Sequence, residues 1–468
     1  MNKHILKSIL ILLVGVLLFS TCDQPTEPDT TPPTPVELYP VTYQDGSFNI
    51  SWSQNNDDDF SSYTLYESTS EDMSDETLIY ETDESTDTTY VVTGIGENET
   101  RYYQIVVEDY WGLQSESNVE IGELHNWFVK TFNVQGDGVG FSVQQTTDGG
   151  YIIGGLSSYW DPYMLLIKTD SQGNEEWTRT LDYEILGVVL SVQQTSDGGY
   201  IMTGALVDDT VEEELWLIKT DSEGVLEWDW TFSGQSIGYS VKVTNDGGYI
   251  ITGWGNMNGV LLIKRDSNGY EWHRNFTGGF GYSVEQTTDG GYIISGSSYE
   301  DFNHDMLLIK TDSQGNEEWT RTFGESYDDR GYSVQQTTDG GYIVTGIKDD
   351  DCIEGIVGDV LLIKTDSYGN EEWNQTFSGQ GRSIQQTNDG GYAITGYTGG
   401  CEDDYGENML LIKTDMQGNE EWSRMFYGGS GYSLQQTTDG GYIITGQYGS
   451  YVWLIKTDSE GNTADYGN

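Results

Sequence analysis

The chain has 468 residues, with 60 Gly, 7 Pro, 33 Tyr and 14 Trp, and a formal net charge of −57 from 20 basic and 77 acidic side chains. That length exceeds one simple core and asks for two or three domains, while the aromatic supply argues against disorder. The acidity excludes nucleic acid and anionic lipid as surface partners, because both are held through Lys and Arg that displace counterions.

The N-terminus reads as an address rather than as fold. Lys3 and Lys7 precede the apolar run Ile9–Phe19, and Ser20-Thr21-Cys22 follows. A basic start with a core of this length is an export signal, and it is too short for a bilayer, which takes about 20 apolar residues. Leu18-Phe19-Ser20-Thr21-Cys22 resembles the lipobox of bacterial lipoproteins, with Thr21 where Gly, Ala or Ser is commoner. The resemblance implies a signal over 1–22, lipidation at Cys22 and a lipid anchor at the surface of the cell envelope. Plain secretion is the alternative. Residues 23–35 (DQPTEPDTTPPTP) hold five of the seven prolines and read as an extended linker.

Residues 36–122 carry short alternating runs such as "SFNISWSQ", "SSYTLYES" and "RYYQIVVED". Period-two runs at this spacing predict an antiparallel sandwich. The stretch resembles a fibronectin type III domain: Trp52 matches its core Trp, and Ile95 with Thr100-Arg101-Tyr102 matches its Leu…Thr-x-Tyr corner. The resemblance implies a spacer. Asp57-Asp58-Asp59 is expected in a solvated loop.

From 123 to 468 the chain repeats itself. Asp-Gly-Gly begins at 148, 197, 246, 289, 339, 389 and 439, a period that means propeller blades or solenoid turns. Each copy holds four strand-like runs. The first two are joined by Asp-Gly-Gly, whose residues accept the positive φ of a tight hairpin, and the last two by a turn like Asp-Ser-x-Gly-Asn. Fourth runs carry Trp177, Trp228, Trp272, Trp319, Trp373 and Trp422, but the last copy ends without one. "HNWFVKTF" around Trp127 stands before the first copy with no partner, so 125–132 is expected to complete the last blade and close the ring. The expected class is all-β: a sandwich plus a seven-bladed, four-stranded β-propeller closed by an N-terminal strand. The repeated Lys of Leu-Ile-Lys-Thr-Asp is expected to pair with carboxylates or to cover apolar surface with its stem.

Asp170…Gly173…Trp177 resembles the tryptophan-docking repeats of quinoprotein-type propellers, although no vicinal cysteine pair is present and no quinone is implied. The whole repeat resembles the Asp-Gly-Gly-Tyr propellers of microbial surface proteins, which implies the fold and little about activity.

Function is expected on the face of the long, variable loops, because loops on a rigid frame carry specificity. Those loops offer Tyr159, Trp160, Trp254, Tyr299, Phe302, Tyr397 and Tyr405 among acids. Aromatic faces beside carboxylates suit sugars or cationic ligands. The expected partner is a polysaccharide or an envelope protein, with no nucleic acid, membrane contact only through the anchor, and a monomeric chain. No cofactor is called for. Calcium in the Asp-rich loops is an alternative to solvated acids. His4, His125, His273 and His304 have no metal-ligand spacing, so an enzyme is not expected. A glycan hydrolase with a carboxylate pair and a purely structural scaffold stay as alternatives. Cys352 and Cys401 occupy matching loops of adjacent copies, where they form a disulfide or remain two unpaired thiols.

Overall fold

The structure, a computed structural model, describes residues 30–44, 47–95, 100–123, 127–134, 136–158, 163–181, 186–207, 213–255, 259–266, 269–299, 304–324, 328–350, 358–399 and 408–463. Their contacts divide into two units, 1–124 and 125–468. Among the described residues all regular structure is strand, and no helix is long and apolar enough to cross a membrane.

The first unit is two antiparallel sheets. One takes Thr42–Gln44, Ser47–Ser51 and Thr89–Thr93; the other orders Thr77–Thr82, Phe60–Ser68, Thr100–Asp109 and Gln114–Glu116, with Glu120–Glu123 also on Thr100–Asp109. Alternate residues of both sheets meet inside: Phe48, Ile50 and Trp52 from one, Tyr63, Leu65, Tyr103, Ile105 and Val107 from the other. The inward tyrosine is Tyr103, fully buried, while its neighbour Tyr102 is only half-buried. One residue along a strand means the opposite face, so Tyr102 of the sequence motif turns away from this core. Asp57 is also no free loop acid. Its carboxylate accepts from the Thr34 amide at 2.6 Å and from the Thr34 hydroxyl at 3.0 Å, and those bonds, the amide first, hold it below the usual carboxylate range. Pro33 and Val36 are buried nearby, so the end of the proline-rich stretch belongs to this unit.

The second unit is a propeller-like repeat of four-stranded antiparallel sheets, seven among the described residues. The first takes Gly138–Gln145, Tyr151–Ser157, Tyr163–Thr169 and Glu175–Leu181; sheets over 186–232, 236–277, 279–323, 328–378 and 380–427 repeat its order. The last takes Gly429–Gln436, Tyr442–Tyr448 and Tyr451–Thr457, and its fourth strand is Phe128–Phe132 from the start of the unit. Second and third strands are buried on both faces, because each sheet lies between two others; this is why they read as unbroken apolar runs such as "VLLIKT". Fourth strands alternate exposed and half-buried residues, as in Glu371–Ser378. Burying each Ile, Leu or Val contributes about 1.5–3 kcal/mol.

The repeated turns work as expected. In the first, Asp148 Oδ1 accepts from the Thr146 hydroxyl at 2.5 Å and the Gly150 amide at 3.0 Å, and Gly149 takes φ +87°. The other oxygen of Asp148 binds Lys168 at 2.9 Å, and Glu176 binds the same ammonium at 2.8 Å. Lys219, Lys264, Lys310, Lys364 and Lys413 repeat this clamp, each with 3–5% of the side chain exposed. Between sheets, Trp373 packs on Tyr392 at 5.9 Å and lies against Gly418, whose φ of +80° and missing Cβ make room for the ring.

The closing strand corrects one residue of the sequence reading. Lys456 stands opposite Phe128 as Lys168 stands opposite Trp177. So Phe128, not Trp127, is the docking ring, and it lies 5.9 Å from Tyr151 and against Gly173. Trp127 falls where the other sheets have the clamp glutamate. Lys456 consequently keeps one ion-pair partner among the described residues, Asp439 at 2.9 Å, and burial, outweighing Asp439, pushes its pKa down.

Candidate functional site

The first strands of the seven sheets surround an axial channel, a cavity of about 200 Å³ lined by rows such as Ser142 and Gln144, Ser333 and Gln335, and Ser383 and Gln385. An innermost strand has an open edge whose amides face the channel and need acceptors. The Ser-Val-Gln-Gln stretch supplies them from the neighbouring sheet. Ser333 Oγ accepts from the Ile384 amide at 3.3 Å and Gln335 Oε1 from the Gln386 amide at 2.6 Å. The second glutamine reaches back: Gln386 Oε1 accepts from the Thr338 amide at 2.9 Å. The same three bonds join the seventh sheet to the first, through Ser433, Gln435 and Gln145.

The channel is charged at only two of its seven glutamine positions, Lys242 and Glu285. Glu285 still accepts from the Gln336 amide at 2.6 Å. Burial raises its pKa against the pull of that amide and of Lys242.

On the variable-loop side of these rows each first strand has a β-bulge, placed between Gly331 and Ser333 in the fifth sheet and at the matching residue in all others. A bulge leaves one residue unpaired and re-aims its side chain. Those residues are Phe141, Leu190, Tyr239, Tyr282, Tyr332, Arg382 and Tyr432, and neighbours among them meet as a collar. Tyr239–Tyr282 centroids are 5.2 Å apart, Tyr282–Tyr332 5.0 Å and Phe141–Tyr432 5.3 Å, while the Arg382 guanidinium lies 4.2 Å over Tyr332. Burial pushes the Tyr239 and Tyr282 hydroxyls well above the ordinary tyrosine value.

Three of the aromatic residues expected to bind stand around this collar. Trp254 is half-buried and stacks on Phe280 at 6.1 Å, and Phe280 stacks on Tyr282 at 6.0 Å. Tyr299 is 49% exposed and lies 5.0 Å from the ring of His304. Tyr397 is half-buried and sits 5.1 Å from the Arg382 guanidinium, with its hydroxyl bonded to Nη2. Asp328 ties two sheets together here: Oδ1 accepts from the His304 amide at 3.0 Å, and Oδ2 binds Arg330 at 2.9 Å. Burial, which outweighs Asp328, holds the His304 imidazole below its ordinary pKa.

Tyr159, Trp160, Phe302 and Tyr405 lie outside the described residues, as do Cys22, Cys352 and Cys401. Among the described residues no group of three His, Cys, Asp or Glu side chains is placed to hold a metal. Sequence reasoning missed the collar. Its signal was the residue before the serine of "GYSVQQ", which is Phe, Leu, Tyr, Tyr, Tyr, Arg and Tyr in turn while that serine is the same in every copy.

No protein-family model matches the chain, and no curated protein does. Solved structures match as folds at low identity. A protein of unknown function from Bacteroides caccae is 11% identical over 58% of this chain and 92% of its own, with a TM-score of 0.40. The Pan2 WD40 domain of Neurospora crassa is 10% identical over 71% and 91%, with a TM-score of 0.46. Chaetomium thermophilum Sqt1, solved bound to the N-terminus of ribosomal protein L10, is 10% identical over 70% and 98%, also with a TM-score of 0.46.

Proposed function

We propose that the chain is an exported, non-catalytic binding protein that takes a saccharide at the variable-loop mouth of the axial channel. In this reading the seven sheets are the blades of a closed seven-bladed propeller. The first unit is a fibronectin type III-like spacer, and Cys22 carries a lipid anchor at the cell surface. The observation that carries the binding role is the collar: one bulge position, repeated in every sheet and aromatic in five of the seven, places rings at the end of a polar channel. Sugar rings stack on such faces while hydroxyls and amides nearby fix their orientation. Binding is favoured over hydrolysis because Asp328, a carboxylate beside the collar, is already engaged by Arg330 and the His304 amide.

A polysaccharide array probed with the purified chain tests this, with calcium and again with chelator. Tyr282→Ala and Trp254→Ala should each weaken binding at least tenfold while leaving the melting temperature within a few degrees. Binding indifferent to both variants would remove the collar from the site. Loss of binding on chelation would add the acidic loops to it.

A further inference from the structure

We propose, on the saccharide reading above, that the channel mouth selects a carboxylate-bearing sugar and that Arg382 receives its carboxylate.

The first support is where the cations of this acidic chain go. Six lysines are held in the clamps, and Lys456 by Asp439 and the Thr457 carbonyl. Arg179, Arg274, Arg321 and Arg424 lie over docking tryptophans, Arg265 over Trp228 and Trp230, and Lys130 over Phe128. Arg101 pairs with Glu67 in the first unit. The other four cations of the repeats, Lys242, Arg330, Lys348 and Arg382, all stand on the first or second strands of their sheets, toward the axis, and of these Arg330 is paired with Asp328.

Arg382 is the second support. It occupies the bulge position that six other sheets give to Phe, Leu or Tyr. Nη2 donates to Gln380 Oε1 at 3.2 Å and to the Tyr397 hydroxyl, and the planar group lies over the Tyr332 ring. Among the described residues it has no carboxylate partner, and its Nε is buried with no hydrogen-bond acceptor. A half-buried cation left without an anion is costly, and in a chain of net charge −57 an acid at a neighbouring position would remove that cost. What the site offers is a guanidinium pre-oriented by stacking, with Nη2 already engaged by Gln380 and Tyr397 and, among the described residues, the Nη1 group left to donate charge-assisted N–H···O bonds to a carboxylate. A pyranose held there lays its ring on the tyrosines of the collar and points its carboxylate at Arg382. The chain's overall charge repels such a ligand at a distance, but at about 0.15 M salt that repulsion fades beyond ~8 Å.

Matched oligosaccharides test the assignment by calorimetry on the whole chain at about 0.15 M salt. Oligogalacturonate, hyaluronan oligosaccharides and sialyllactose are each compared as free acid and as methyl ester, which removes the charge and keeps the rings. The expected result is at least one free acid binding tenfold or more tighter than its ester. Arg382→Gln should erase that preference and leave ester binding unchanged; Arg382→Lys, with charge but no guanidinium, should keep part of it. Equal binding of acid and ester, or a preference that survives Arg382→Gln, overturns the assignment and leaves saccharide binding standing. Binding of neutral glycans alone overturns it in the same way. If no glycan of either kind binds, both readings fall.

Discussion

The turn side and the mouth side of the repeat unit obey opposite rules. On the turn side, sheet after sheet repeats one lysine clamp, one aspartate-capped turn and one docked ring. At the mouth the same bulge carries Phe, Leu, Tyr, Tyr, Tyr, Arg and Tyr in succession. Both regions belong to the same repeated four-stranded sheets, so the backbone does not explain the difference. What differs is the task. Turn-side residues hold one sheet to the next, and any change there is met by an identical neighbour that expects the original. Collar residues stand where the sheets converge with little left to hold. Repetition here marks scaffold, and divergence at one fixed geometry marks the place to look for a ligand.

The largest effect should come from breaking a clamp. Lys364 gives its protons to Asp339, Glu372 and the Thr365 carbonyl at 2.9, 2.8 and 3.0 Å. Lys364→Met keeps the stem but orphans the buried carbonyl and two charge-assisted bonds, each kind worth about 1.5–3 kcal/mol. The two carboxylates are half-exposed and recover water. A net loss of about 2–3 kcal/mol is therefore expected in chemical denaturation. The same substitution at Lys242, exposed and without an ion pair among the described residues, should cost under about 0.5 kcal/mol. Equal costs at the two sites would erase the distinction between scaffold and channel.

Acid should attack the same side of the molecule. Burial pushes Asp197, Asp246, Asp289, Asp339 and Asp389 upward, but each threonine hydroxyl, lysine ammonium and glycine amide outweigh it and hold them at about 2. An unfolded aspartate titrates near 3.9. A depressed folded value means the stability is fully present above about pH 4 and is lost as pH falls toward about 2. Unfolding followed by circular dichroism should therefore be flat from pH 7 to about 4 and steep below. Because these carboxylates are more than half exposed, added salt should blunt the slope. A transition beginning in the ordinary histidine range, at about 6.5, would point to His304 rather than the clamps.

The sheets themselves were readable from sequence because their signals are local: Asp-Gly-Gly fixes one turn, and Leu-Ile-Lys-Thr-Asp fixes a strand buried on both faces. The borrowed fourth strand was readable from an imbalance, six tryptophan strands for seven copies. Its register was not, since Phe128 and Trp127 differ by one residue and a strand inverts its faces at every step. Which of Tyr102 and Tyr103 faces the core was not readable for the same reason. The collar failed differently. Strict alternation puts Phe141 on the face of Val143, and only the bulge at that residue separates them. The work of the paired glutamines was not readable, because their partners are backbone amides about one repeat away.

The smallest expected effect would complete the pattern rather than break it. At six of the seven joints a Gln or Glu oxygen accepts from an amide of the next sheet, as Gln193 does from Val243 at 2.7 Å and Glu285 from Gln336 at 2.6 Å. At the joint between the third and fourth sheets the residue in that place is Lys242, which has donors and no acceptor. The serine bond survives there, from the Val284 amide to Ser240 at 3.4 Å, so the two strands already stand in register for the missing one. Lys242→Gln should add that bond and about 1 kcal/mol of stability, read as a small upward shift of the denaturation midpoint with an unchanged slope. It should also leave the free-acid preference assigned to Arg382 intact, because the collar lies on the other side of the serine row. If stability rises but the preference disappears, the carboxylate reaches past the collar to Lys242, and the channel rather than its mouth is the site.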